Sequence, residues 1–216
     1  MTSPTIQTYG LNIDQSLLDA DCKALREAMK GLGTDEKTII NILTSRNNAH
    51  RYMLKQRYKD LLGRDLLKDL KSELSGNFED VCLAMLESPY ELDCRSLYEA
   101  MEHIGTNDST LIEIIATRSP QQLYQDKILF QQLYKKDLMK YIESETSGHF
   151  CKILLAMLQC QRHDMNYPIS MAELSEAQRL IKQERENGEQ MKKYLHKFFT
   201  TRAPHEIAII SQLYQQ

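Results

Sequence analysis

The chain has 216 residues, 42% of them hydrophobic and 26% charged, with a formal net charge of −3 and a pI near 6.1. That balance predicts a soluble globular fold with a sizeable core and excludes a disordered tail. It also leaves no electrostatic pull toward nucleic acid or toward anionic lipid, so a phosphate surface could be reached only with positive charge from elsewhere.

No run of about 18 apolar residues is present to span a bilayer. Met1-Thr2-Ser3-Pro4 lacks the basic and apolar regions of a signal peptide, which predicts a cytoplasmic protein. The five cysteines, Cys22, Cys82, Cys94, Cys151 and Cys160, are odd in number and form no CxxC pair, so they read as buried thiols of a reducing compartment.

Residues 1–15 read as an irregular N-terminal arm. After it the apolar spacing is helical: Ile39, Ile40 and Leu43 share one face, as do Leu66, Leu67, Leu70 and Leu74. Breaks at Gly31/Gly33, Asn47-Asn48, Gly63 and Gly76 divide residues 16–88 into five short helices, near 16–30, 35–45, 48–61, 64–74 and 76–87. Asp35 and Asn107 suit helix N-caps; at Ser75-Gly76 and Ser147-Gly148, glycine supplies a positive φ and serine a cap.

Residues 89–160 repeat the pattern, with helices near 90–103, 107–117, 120–134, 136–145 and 147–159. Cys94, Met101, Gly105, Thr106, Arg118, Glu145, Ser147-Gly148 and Phe150 each lie 72 residues beyond Cys22, Met29, Gly33, Thr34, Arg46, Glu73, Ser75-Gly76 and Phe78. An ungapped match of this length is a duplication. Residues 161–170 form a connector around Asn166-Tyr167-Pro168, and 171–216 a partial third unit in which Thr201-Arg202 matches Thr117-Arg118.

The segment from Met29 to Thr34, with Glu73 forty residues past Gly33, carries the chemistry. A calcium ion takes six to eight oxygens, mixing backbone carbonyls, water and a bidentate carboxylate. A Gly-x-Gly turn closing a helix offers such carbonyls at the negative end of the macrodipole, without Cβ atoms to crowd an ion. Met29, Gly31 and Gly33 would each give a main-chain oxygen, and Glu73 would give the anion. A cation held there could bridge to a lipid phosphate and solve the charge problem of an acidic chain on an acidic surface. A lone Gly-x-Gly also ends helices for structural reasons alone; recurrence with a glutamate at fixed separation favours the site.

These residues, with Gly63-Arg64-Asp65-Leu66-Leu67 and Lys71-Ser72-Glu73-Leu74-Ser75-Gly76, resemble the annexin repeat, as do Ile104-Gly105-Thr106-Asn107 and Glu143-Ser144-Glu145-Thr146-Ser147-Gly148. The resemblance runs from about Leu17 to the end. It implies an all-α fold of five-helix repeats, each wound as a right-handed superhelix, and calcium-dependent, reversible binding to anionic phospholipid membranes such as phosphatidylserine, peripheral when calcium rises. It implies the ligand set Met29, Gly31, Gly33 and Glu73, with lesser calcium positions at Thr34, Glu36 and Glu79, and an internal ion pair between Asp93 and Arg118. Lys30 and Leu32 would lie nearest the lipid, and Lys23, Lys37 and Lys71 near the loops could assist with acidic headgroups.

Departures matter. His103 replaces the first loop glycine of the second unit, so Met101, His103, Gly105 and Glu145 form a weaker candidate site. Glu186-Asn187-Gly188-Glu189-Gln190-Met191 in the third unit has no GxGT. A repeat left without its partner would expose apolar surface for self-association or a protein partner. The competing function is therefore a calcium-independent helical scaffold. An enzyme is not expected, since no Gly-x-Ser-x-Gly elbow, P-loop or HExxH occurs, and no EF-hand loop is present. Arg46, Arg118 and Arg202, each after Thr or Ser at a helix end, read as buried pairs rather than lipid contacts. His103 and His149 lack a second histidine at ligand spacing, and the tyrosines read as core and rim.

Overall fold

The computed structural model describes residues 14–31, 33–102, 105–164, 166–168, 170–172, 174–175, 178–179 and 188–214, with the backbone alone at 188–191 and 213–214. The arm up to residue 13, and Leu32, His103 and Ile104, lie outside the described residues. Among the described residues there is helix and no strand. The fold is all-α, built of five-helix repeats.

In chain order the first five helices are α1 (Gln15–Ala28), α2 (Glu36–Ser45), α3 (Asn48–Leu62), α4 (Leu66–Glu73) and α5 (Gly76–Leu86). Next come α6 (Pro89–Glu102), α7 (Asp108–Thr117), α8 (Pro120–Tyr134), α9 (Leu138–Glu145) and α10 (Gly148–Leu158). Two further helices, α11 (Gly188–Thr201) and α12 (Pro204–Tyr214), follow the connector. The bounds of α1 to α10 agree with the sequence reading to within two residues.

Local chemistry sets these boundaries. Side chains of Asp14, Asp35, Asn47, Asp65, Asn107 and Asp137 each accept an amide of the following first turn, a contact worth about 1 kcal/mol per helix. Ser119 and Gln122 form a reciprocal capping box under Pro120. Ser75 and Ser147 differ from expectation. Each occupies the N-cap position in extended backbone, but neither side chain makes a capping hydrogen bond. Gly76 and Gly148, at φ 60° and 64°, turn the chain by torsion instead.

The chain divides into two compact units, Met1–Leu92 and Asp93–Gln216. In the first, α1 packs on α2 and α3, while α5 packs on α2, α3 and α4. Leu18, Cys22 and Leu25 from α1 meet Ile39, Leu54, Tyr58, Leu66, Leu70 and Leu86 in a closed apolar core. In the second unit α10 packs on α7, α8 and α9, and also on α11. Arg162 of the connector donates to Ala116 O at 2.9 Å and Arg202 O at 2.8 Å, which ties α7 to the α11–α12 turn. The cysteines are free thiols, four of them buried and Cys160 half-buried.

Three arginines read as structural do pair internally. Arg46 grips Asp21 at 2.7 and 2.9 Å, and Arg118 grips Asp93 at 2.7 and 2.8 Å, in the bidentate geometry that suits a buried carboxylate. Arg202 reaches Glu206 at 3.0 Å.

The two units differ beside the fourth helix. In the first, Asp69 of α4 accepts from Tyr58 at 2.8 Å and from Arg64 at 2.7 Å through both oxygens. In the second, Tyr141 stands in the place of Asp69. It sits within an aromatic group of Tyr98, Phe130 and Tyr134, and Lys136 Nζ lies 3.9 Å from the centre of its ring. A cation on an aromatic face has taken the place of an ion pair.

Candidate calcium centre

The first loop starts where α1 ends. Met29 is its C-cap and, at 2% exposed, belongs to the core, which fixes the peptide that begins the turn. Gly31 and Gly33 then adopt φ 106° and 87°, torsions that side-chain-bearing residues rarely take. The Asp35 amide returns to Ala28 O at 2.8 Å and closes the loop. Thr38 donates to Asp35 through its hydroxyl and amide, holding that carboxyl below the ordinary range and fixing the start of α2.

Glu73 arrives at this loop as the last residue of α4. Thr34 Oγ1 lies 3.4 Å from Glu73 Oε2 and 3.5 Å from Glu73 O. Residues 39 apart are thus clamped together, with Glu73 itself exposed. Among the described residues no donor is directed at the main-chain oxygens of Met29, Gly31 or Gly33. Main-chain carbonyls and a carboxylate are oxygen donors of the kind a hard cation takes. Among the described residues no three His, Cys, Asp or Glu side chains converge.

The lesser positions fall nearby. Thr34 is the clamp just described. Glu36 opens α2 and Glu79 lies in the first turn of α5, and these two helices pack together. Burial pushes the Cys82 thiol up, and the charge of Glu36 adds to the shift. Lys30 is exposed and pairs with Glu27 at 3.3 Å. Leu32 lies outside the described residues.

The second loop has the same frame: Gly105 at φ 92°, Asn107 N to Ala100 O at 2.9 Å, and Thr106 Oγ1 to Glu145 O at 2.9 Å. Its donor set differs. Tyr141 Oη donates to Met101 O at 3.2 Å, and the Glu145 carboxylate accepts from Ser144 at 3.3 Å. His103 lies outside the described residues. Sequence reading missed the Tyr141 contact, although lining Tyr141 up with Asp69 marks the substitution.

A family model described as Annexin matches residues 20–85 and 92–157. The chain belongs to the annexin family. Annexin A5 of Gallus gallus is 46% identical over 143 residues, which is 66% of this chain and 44% of that protein. The chain thus spans about half the length of this curated annexin. Among solved structures, chicken annexin V superposes with a TM-score of 0.80 at 36% identity, covering 91% of this chain and 62% of that one. A calcium-bound annexin (Sm)1 superposes at 0.78 with 29% identity, covering 91% and 60%. Annexins are known as calcium-dependent phospholipid-binding proteins.

Proposed function

We propose that this chain binds calcium at the Met29–Glu73 centre and, through it, docks reversibly on anionic phospholipid membranes from the cytoplasm. The observation that carries the reading is the contact of Thr34 with Glu73, which brings a carboxylate to the glycine loop. Met29, Gly31 and Gly33 would give main-chain oxygens and Glu73 the charge. Calcium, when bound, supplies the positive charge that a chain of net charge −3 lacks toward lipid phosphate. Thr34 orients the acid, and the exposed loop leaves room for phosphoryl oxygens in place of water. Membrane and calcium then strengthen each other's binding by linkage. A role in binding rather than catalysis accords with the family.

The five-helix boundaries at 16–88 and 89–160, and a partial unit over 171–216, are part of the same proposal. Cosedimentation with phosphatidylserine vesicles tests it: the protein should pellet with calcium and stay in solution with chelator. Exposed Ile40 on α2 and exposed Val81 on α5 favour a second reading in which a protein partner or another copy covers apolar surface of this unit. Partner binding indifferent to chelator, with no vesicle signal, would favour that scaffold.

A further inference from the structure

We infer that α2 and α5 form a docking surface for a second copy of this chain, in which α5 of each copy seats α2 of the other; this rests on the second reading above and not on the calcium centre. The pattern for it is a contact the chain already makes with itself. By the duplication, α2, α3, α4 and α5 correspond to α7, α8, α9 and α10. Helix α5 packs on α2, α3 and α4, while α10 packs on the same three by position and on α11 as well. That extra neighbour is itself a helix of the α2 kind. Arg202 follows α11 as Arg46 follows α2 and Arg118 follows α7, and Pro204 opens α12 as Pro120 opens α8.

Matching positions differ in exposure accordingly. Val81 of α5 is 57% exposed against 36% at Ile153 of α10, and half-buried Met85 corresponds to Met157 at 8%. Across the contact, Ile40 of α2 is exposed, whereas His196 holds its place on α11, half-buried with Nε2 sealed from solvent. Where α10 meets α11 these positions lose exposure; on α5 and α2 they keep it. Symmetry then selects the occupant. The first unit carries both an α10-type and an α11-type helix, and these two, α5 and α2, pack on each other. A two-fold axis beside them lets each copy supply α2 to the α5 of the other, so both contacts form together and the interface closes on itself. An unrelated protein would have to bring such a helix; a second copy has it by construction.

Sedimentation velocity of the full chain, in chelator and reductant over a concentration series, is the test. The parent should move from 25.2 kDa toward twice that mass as concentration rises. Val81→Asp and Ile40→Asp put a charge into the contact and should each hold the protein at the monomer mass, with the helical circular dichroism spectrum kept. Ile128→Asp, at an exposed apolar site on α8, should leave the dimer intact. Loss of the dimer in either of the first two variants, with Ile128→Asp still dimeric, supports the inference. A parent that stays monomeric to about 100 μM overturns it and leaves the apolar surface of the unit to a different protein. A dimer that survives both Val81→Asp and Ile40→Asp, or is lost equally with Ile128→Asp, also overturns it. With chelator present throughout, none of these outcomes bears on the Met29–Glu73 centre.

Discussion

The hydroxyl of Thr34 lies 3.4 Å from the carboxylate of Glu73 and 3.5 Å from its main-chain oxygen, joining a helix-ending loop to the end of a helix 39 residues later. Ligand geometry at a metal depends on such supporting contacts, because an untethered glutamate spends entropy each time it coordinates. Thr34→Val keeps the branched shape and removes the hydroxyl. Its calcium midpoint for vesicle binding should rise about five- to tenfold while the circular dichroism spectrum stays that of the parent.

Gly33 holds φ 87° with nothing within 4 Å of where a Cβ would stand. Gly33→Ala therefore meets no clash, and its cost is torsional, about 1–2 kcal/mol. Calcium-dependent pelleting should weaken by about tenfold or more, with a drop of only a few degrees in thermal midpoint. A fall in stability without loss of pelleting would show that the turn is structural alone.

Asp126 is 0% exposed, and among the described residues neither of its carboxylate oxygens has a hydrogen-bond partner. Burial, with the charge of Asp93 adding, raises its pKa from the ordinary 3.8 to about 7, and Arg118 opposes the shift. The unfolded chain releases this proton near pH 4 and the folded chain retains it to about pH 7. Stability from this group therefore falls as pH rises across that window and levels off above it. Asp126→Leu, the residue found at the matching Leu54, should stabilise the protein more at pH 8 than at pH 5. Thermal unfolding at the two values checks the sign.

Asp93 is 4% exposed and held by two hydrogen bonds from Arg118. Arg118→Met leaves that carboxylate buried near Asp126 with its bidentate partner gone, at a cost of about 3 kcal/mol or more. Urea unfolding should show the loss. Vesicle binding below the unfolding range should be kept, because Arg118 is structural.

The helices were legible in the sequence because their punctuation is chemical. Asp35, Asn107 and Ser119 cap, and Gly63 at φ 65° stops α3. The serines before Gly76 and Gly148 were misread as side-chain caps, since residue type gives the cap position but not where the hydroxyl points. Lys135, the counterpart of Gly63, takes φ 57° without any signal in residue type. At the site, the glycine turn and the distant acid could be read from spacing. The threonine clamp and the Tyr141 contact could not, because both depend on α4 or α9 meeting a loop some forty residues earlier.

The most direct measurement is cosedimentation of Glu73→Gln with phosphatidylserine vesicles across a calcium titration, beside the parent chain and a chelator control. The substitution keeps the size of the side chain and removes its charge. Loss of most calcium-dependent pelleting, with folding intact, is the expected result. Full retention at the parent's calcium midpoint would contradict a calcium bridge built on Glu73.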